Sequence, residues 1–294
     1  MSENTMDKIN AMESQSIVSV KGDDYRGDVT FEIKFLKDLR YEYRQYLAEF
    51  VACTVFMTFG ATSVAAIALY EALAPEYMLI IGICWGSGVA LALYLCMGNS
   101  GGHMNPAVTF SLALFGRFPW KKVPGYMLAQ VLGCFVGSAL AFGLYQKKFD
   151  AFDGGVRQTL GPKGTGFVFS SFPDPDNITM NSFFLEFYCT MILQLVVQGI
   201  VDHRMHPAKG YEPVMIGVAV CLITISTAAM GSTNMNPARD LGPRIFLSVA
   251  GWGSEPFTAN RYYFWVPIVA PFLGATVGTF IYELLIIPNK EHSH

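Results

Sequence analysis

Charge is scarce in this chain. Asp, Glu, Lys and Arg supply 15% of the 294 residues and apolar side chains 52%. A soluble domain carries about 25% charge, so this balance excludes an ordinary water-soluble globule. The net charge of −3 offers no basic surface, and no nucleic-acid partner is expected. Histidine is sparse as well: of five, only His203 and His206 share a short loop, and two imidazoles do not close a metal site. HExxH and P-loop sequences are absent. The chain is therefore read as a non-enzyme with no cofactor. The six cysteines (Cys53, Cys84, Cys96, Cys134, Cys189, Cys221) lie in apolar segments without CxxC spacing and read as small buried hydrophobes. Residues 1–44 mix Lys, Arg, Asp and Glu without a continuous apolar core, so no leader peptide is expected and residues 1–43 read as a retained tail.

What the chain has is apolar length. Stretches of spanning size, about 20 residues, run over roughly 46–70, 77–97, 123–145, 182–201, 213–231 and 262–286. Six transmembrane helices are expected, with the lipid bilayer as solvent. Two shorter apolar segments, 105–115 and 236–250, cannot cross. Lys34, Lys37, Arg40 and Arg44 precede the first span and Arg117, Lys121 and Lys122 the third, whereas the connection 71–76 holds only Glu71 and Glu76. Cationic loops stay inside, so both termini are expected in the cytoplasm and the long connection 146–181 outside. That connection carries Asn177-Ile178-Thr179, a possible glycosylation site. Its Gly161-Pro162-Lys163-Gly164-Thr165-Gly166 run lacks phosphate-loop spacing and reads as a turn.

The sequence is made twice. Ala48-Glu49-Phe50 returns as Leu185-Glu186-Phe187, Ile81-Gly82 as Ile216-Gly217, and Leu132-Gly133 with Val136-Gly137 as Leu273-Gly274 with Val277-Gly278. Gly101-Gly102-His103-Met104-Asn105-Pro106-Ala107 returns as Met235-Asn236-Pro237-Ala238 behind a second glycine-bearing approach. Each half holds three spans, an odd number, so the second enters the membrane upside down and the halves form an inverted repeat. Paired Gly-x-x-x-Gly patterns fit close helix packing. Asn is a favoured N-cap and Pro a favoured first helical residue, so Asn105-Pro106 and Asn236-Pro237 read as helix starts. Each following helix is about ten residues, or ~15 Å, half the hydrocarbon thickness. Two re-entrant half-helices would meet start to start at mid-membrane. Their approaches, Gly98 to Met104 and Gly231 to Met235, would run without helical bonds, tolerated only beside protein or water. Bare carbonyls there, two Asn amides and two positive helix ends describe a path for neutral molecules that disfavours cations and hydronium.

With these residues in hand the chain resembles the major intrinsic protein (aquaporin) family over about residues 44–286. The resemblance implies an all-α membrane protein of six transmembrane helices plus two re-entrant half-helices in an inverted repeat. It also implies a homotetramer with one pore per subunit. The domain reading is a channel domain, 44–286 (repeat one 44–145, extracellular loop 146–181, repeat two 182–286), flanked by cytoplasmic tails 1–43 and 287–294. The plasma membrane is the expected location. Glu49 and Glu186 match the family's buried braces of the re-entrant loops; on physics alone an intramembrane carboxylate also fits a proton relay. Asp240, Arg244, Pro267 and Ile268 resemble the glycerol-conducting branch.

By distance from the triplets, the resemblance assigns a selectivity filter to Trp85, Thr224, Thr233 and Arg239. Trp85 matches the glycerol branch, and Arg239, which matches both branches, offers fixed donors while repelling cations. Thr224 and Thr233 depart from the glycerol branch, standing where it has Gly and an aromatic; with no His the constriction is expected to be wider than in a strict water channel, and with two hydroxyls more polar than the usual glycerol filter. Either hydroxyl also has a local use, bonding its own helix backbone. Asn105, Pro106, Ala107, Asn236, Pro237 and Ala238 form the central constriction, and His103 lines the cytoplasmic half. The expected function is passive passage of water and small uncharged solutes, glycerol first, with protons and ions excluded. A water-selective channel of the same fold and a secondary transporter built on inverted repeats are the rivals.

Overall fold

The computed structural model describes residues 34–70, 77–174, 176–205, 209–231 and 233–287; the connection 71–76, the residues before 34 and His206 lie outside these. The chain divides into two compact units, Met1–Glu42 and Tyr43–His294. Of the first, residues 34–42 are described and are helical; the second holds the remaining helices.

Helices account for the regular structure of the described residues: α1 Lys34–Ala68, α2 Tyr77–Ser100, α3 Pro106–Leu114, α4 Val123–Asp153, α5 Thr179–Val201, α6 Glu212–Ser226, α7 Pro237–Leu247, α8 Glu255–Tyr262 and α9 Val266–Ile281. Five runs are long and apolar enough to cross a bilayer: Arg40–Ala68, Tyr77–Ser100, Trp120–Asp153, Thr179–Val201 and Glu255–Ile286. Their outward faces are apolar, with Leu144 and Leu285 largely exposed, while Glu49, Glu186, Gln130 and Asp240 are fully buried. A surface of leucines over an interior holding carboxylates is the arrangement a hydrocarbon solvent selects.

The sixth expected span is shorter than the apolar run that announced it. α6 has 15 residues, or ~22 Å of helix. After Ser226 the chain tightens into a single turn, Ala228–Met230, and Gly231 takes φ +101°, a backbone open to glycine. α4 runs the other way, past the apolar limit at 145 to Asp153, and ends where Gly154 adopts a left-handed cap. α8 is helical only at its start, since Ala259, Asn260 and Arg261 leave helical geometry.

Glycine decides how the helices meet. A Cβ at Gly133 would collide with the Phe50 carbonyl of α1, and one at Gly274 with the Phe187 carbonyl of α5. Gly137 against Thr54 and Gly278 against Met191 repeat the contact one turn along. α1 with α4 and α5 with α9 are thus packed backbone to backbone by the two Gly-x-x-x-Gly patterns. α2 and α6 meet reciprocally, a Cβ at Gly86 striking the Gly217 carbonyl and one at Gly217 the Gly86 carbonyl.

Candidate functional site

The two Asn-Pro-Ala segments begin helices as their residue types require. Asn105 and Asn236 have extended backbones, with φ −154° in each, and precede Pro at the first helical position. The Asn105 side-chain oxygen accepts from Ala107 N–H at 2.9 Å. That of Asn236 accepts from Ala238 N–H at 3.0 Å and Arg239 N–H at 3.3 Å. With each oxygen committed to a helix start, each amide nitrogen is turned the other way. Asn105 Nδ2 donates to the Met235 carbonyl at 2.7 Å, and Asn236 Nδ2 to the Met104 carbonyl at 2.7 Å. The two segments are cross-tied, and each amide keeps a second N–H. Ala107 and Ala238 are completely buried, which leaves no room for a longer side chain.

Met104 and Met235, the residues before each Asn, have φ +47° and +58°. A non-glycine residue there costs roughly 1–3 kcal/mol and persists only when its surroundings over-determine it. The buried glutamates do so. Glu49 accepts from His103 N–H at 3.0 Å and Met104 N–H at 2.6 Å. Glu186 accepts from Asn234 N–H at 2.8 Å and Met235 N–H at 2.9 Å. Ser100 and Gln130 also donate to Glu49. The first approach is shorter than its glycines imply: α2 continues to Ser100 and Gly101 N–H still donates to the Met97 carbonyl at 3.1 Å, so the approach free of helical bonds is Gly102–Met104. The start inferred at Gly98 is corrected accordingly; nothing packs within 4 Å of a Cβ there, and a glycine in open space does not break a helix.

A cavity of about 400 Å³ passes both triplets. Asn105, Asn236, His103, Trp85, Thr224, Thr233 and Arg239 all line it. The Arg239 guanidinium lies 4.4 Å from the centroid of the Trp85 ring, within reach of a cation–π contact. Arg239 Nη1 donates to the Phe169 carbonyl at 3.4 Å and to Asn234 Oδ1. Thr224 donates its hydroxyl to the Val220 carbonyl at 2.8 Å, the local use its residue type allows, so it meets the cavity with lone pairs. His103 shares a 3.1 Å hydrogen bond with Thr109 and packs against Phe118 and Tyr126.

Asp240 is held by a buried network. It accepts from Ser171 N–H at 2.9 Å and Asn234 Nδ2 at 2.7 Å and is ion-paired to Arg244, itself 1% exposed. Asn177 lies away from the cavity, its Nδ2 donating to the Met230 carbonyl at 2.7 Å. Residue spacing did not single out Gly60, Phe167, Asn234 or Ser171. Gly60 seats the indole, since a Cβ there would strike the Trp85 ring. Gly60, Phe167 and Ser171 meet the site only through tertiary contact, which leaves no local pattern; Asn234 lies within the second approach itself.

Apolar spanning helices, two Asn-started short helices tied to each other, and a cavity running past the tie define a membrane channel. The chain belongs to the major intrinsic protein family, whose sequence profile, described as "Major intrinsic protein", matches residues 36–282. Among relatives, Aquaglyceroporin-3 of Trypanosoma brucei brucei is 42% identical over 250 residues, covering 85% of this chain and 81% of the relative. Aquaporin-9 of Rattus norvegicus is 39% identical over 251 residues, covering 85% and 84%. Among solved structures, the aquaglyceroporin from Plasmodium falciparum superposes with a TM-score of 0.74 at 29% identity, covering 83% of this chain and 96% of that one. The chain is an integral, multi-pass membrane protein.

Proposed function

We propose that this channel passes water and small uncharged solutes, glycerol first among them, down their gradients and without ions or protons. It is not an enzyme. One observation carries the reading: a single cavity is lined by an indole, an arginine and two cross-tied asparagine amides. The indole is an apolar wall for a carbon chain, the guanidinium a fixed donor to hydroxyls, and the spare amide N–H groups donors to a passing oxygen. Water held by both amides points its hydrogens away from the tie. The positive ends of α3 and α7 then oppose any cation or hydronium. Relatives with glycerol in their names, at about 40% identity, favour this reading over a water-selective channel or a coupled transporter.

The finer architecture is part of the proposal. α6 serves as the sixth span, α3 and α7 as half-helices entering from opposite faces, and residues 44–145 and 182–286 as inverted repeats. The doubled glutamate brace and the doubled glycine packing support it. Both termini face the cytoplasm, residues 146–181 face outside, and four subunits assemble in the plasma membrane. Trp85, Thr224, Thr233 and Arg239 are the filter; Glu49, Glu186 and Asp240 hold it in place. A glycan on Asn177 requires release of its bond to Met230.

Light scattering from proteoliposomes tests the function. A sorbitol gradient should shrink parent vesicles quickly, and a glycerol gradient should shrink and then re-swell them. Trp85→Ala and Arg239→Ala should change the glycerol phase. Water and glycerol permeabilities both at the lipid background, in a folded preparation, would refute the channel.

A further inference from the structure

We infer that Phe167 is a fifth filter residue, supplying a second aromatic wall that sets how bulky a polyol can pass. The inference rests on the glycerol-channel reading above. Among the described residues between α4 and α5, Phe167 alone lines the cavity. It sits on the helical turn Gly166–Val168 and is half-buried against the core.

That turn is tied on both sides. Before it, Thr165 Oγ1 accepts from the Trp252 indole N–H at 3.1 Å. After it, the Phe169 carbonyl accepts from Arg239 at 3.4 Å, Ser170 donates to the Asp240 carbonyl at 3.3 Å, and Ser171 N–H donates to Asp240 Oδ1 at 2.9 Å. Arg244 closes the set by donating to the Ser171 carbonyl. Phe167 is two residues from Phe169, no more than about 7 Å along the chain. Phe167 thus enters the cavity from a segment that α7 fixes beside Arg239.

The aromatic lining divides accordingly. Phe56 packs on Trp85, with ring centroids 6.3 Å apart, and both stand on the wall built by α1 and α2. Phe167 comes from a different element, tied through Phe169 to the guanidinium that Trp85 also touches. Thr224 and Thr233, which also line the cavity, are small. A carbon chain with hydroxyls along one edge needs apolar surface against its C–H groups. Away from Trp85 the lining is otherwise aliphatic or small, from Ile216, Val220, Thr224, Ala228 and Thr233, so Phe167 is the aromatic there.

The test compares water, glycerol and erythritol permeability in proteoliposomes for the parent, Phe167→Ala, Phe167→Leu and Phe167→Ala with Thr233→Phe. Loss of one aromatic contact should raise the erythritol-to-glycerol ratio by roughly two- to tenfold in Phe167→Ala. Phe167→Leu should fall between, and the double variant should move back toward the parent. Retained water flux certifies folding. Should Phe167→Ala lose water flux, Phe167→Leu carries the comparison. A parent-like ratio in the water-conducting single variants would overturn the assignment of Phe167. It would leave the channel reading standing, since that fails only if the parent itself does not conduct.

Discussion

Trp85 owes its place to an absence on the neighbouring helix. Gly60 offers no Cβ, and the indole occupies that space against α1. Gly60→Ala should push the ring into the cavity, lowering glycerol permeability roughly fivefold, equivalent to about 1 kcal/mol on the barrier, with less effect on water. Stopped-flow light scattering on the two gradients measures both. Asp240 and Arg244 give a second case, because they are buried and paired. Asp240→Asn leaves an uncompensated guanidinium and should cost about 3–5 kcal/mol, whereas replacing both partners by apolar residues should cost less. Thermal unfolding in detergent micelles would rank the two variants. Both asparagines were legible as helix caps in a duplicated triplet, whereas Trp85 and Arg239 were placed through the family resemblance, by their distance from those triplets. Gly60 and Phe167 were not, because their roles consist of contacts between segments far apart in the chain.

The helices separate into those announced by composition and those shaped by neighbours. Long apolar runs gave α1, α2, α4 and α5 to within a few turns, and Asn-Pro marked the starts of α3 and α7. The early end of α6 goes with the Gly231 conformation, the break in α8 with left-handed Asn260 and Arg261, and the turn bearing Phe167 with tertiary hydrogen bonds around it, none of which hydropathy encodes. The doubled packing invites a matched test. Gly133→Val and Gly274→Val put branched side chains into carbonyls of α1 and α5, and each should lose about 1–3 kcal/mol, seen as similar falls in unfolding temperature. Glu186 separates brace from relay. As a brace, Glu186→Gln loses an acceptor for Asn234 or Met235 N–H and should reduce solute flux and stability. A relay would instead show as proton leak in the parent, read by a pH dye in the vesicle lumen. Past the end of α5, hydrogen bonds from Arg204, with help from Tyr282, hold the Asp202 carboxyl well below the usual carboxylate range. A lowered folded value means the stability it contributes is present above the unfolded value of about 4 and is lost as pH falls through the folded one. Asp202→Asn should flatten the acid limb of a stability-versus-pH curve.

As a whole, the molecule turns polarity inward, around a cavity that runs past both triplets, as a conduit requires. Glycerol flux should be linear in its gradient and unchanged when sodium or proton gradients are collapsed by ionophores; saturation with ion dependence would point to coupled transport instead. The tie between Asn105 and Met235 and between Asn236 and Met104 also bears on how the protein is made. A chain ending before Met235 would lack both the acceptor for the Asn105 amide and the donor to the Met104 carbonyl. Each half thus completes the hydrogen bonding of the other, and neither triplet is satisfied alone.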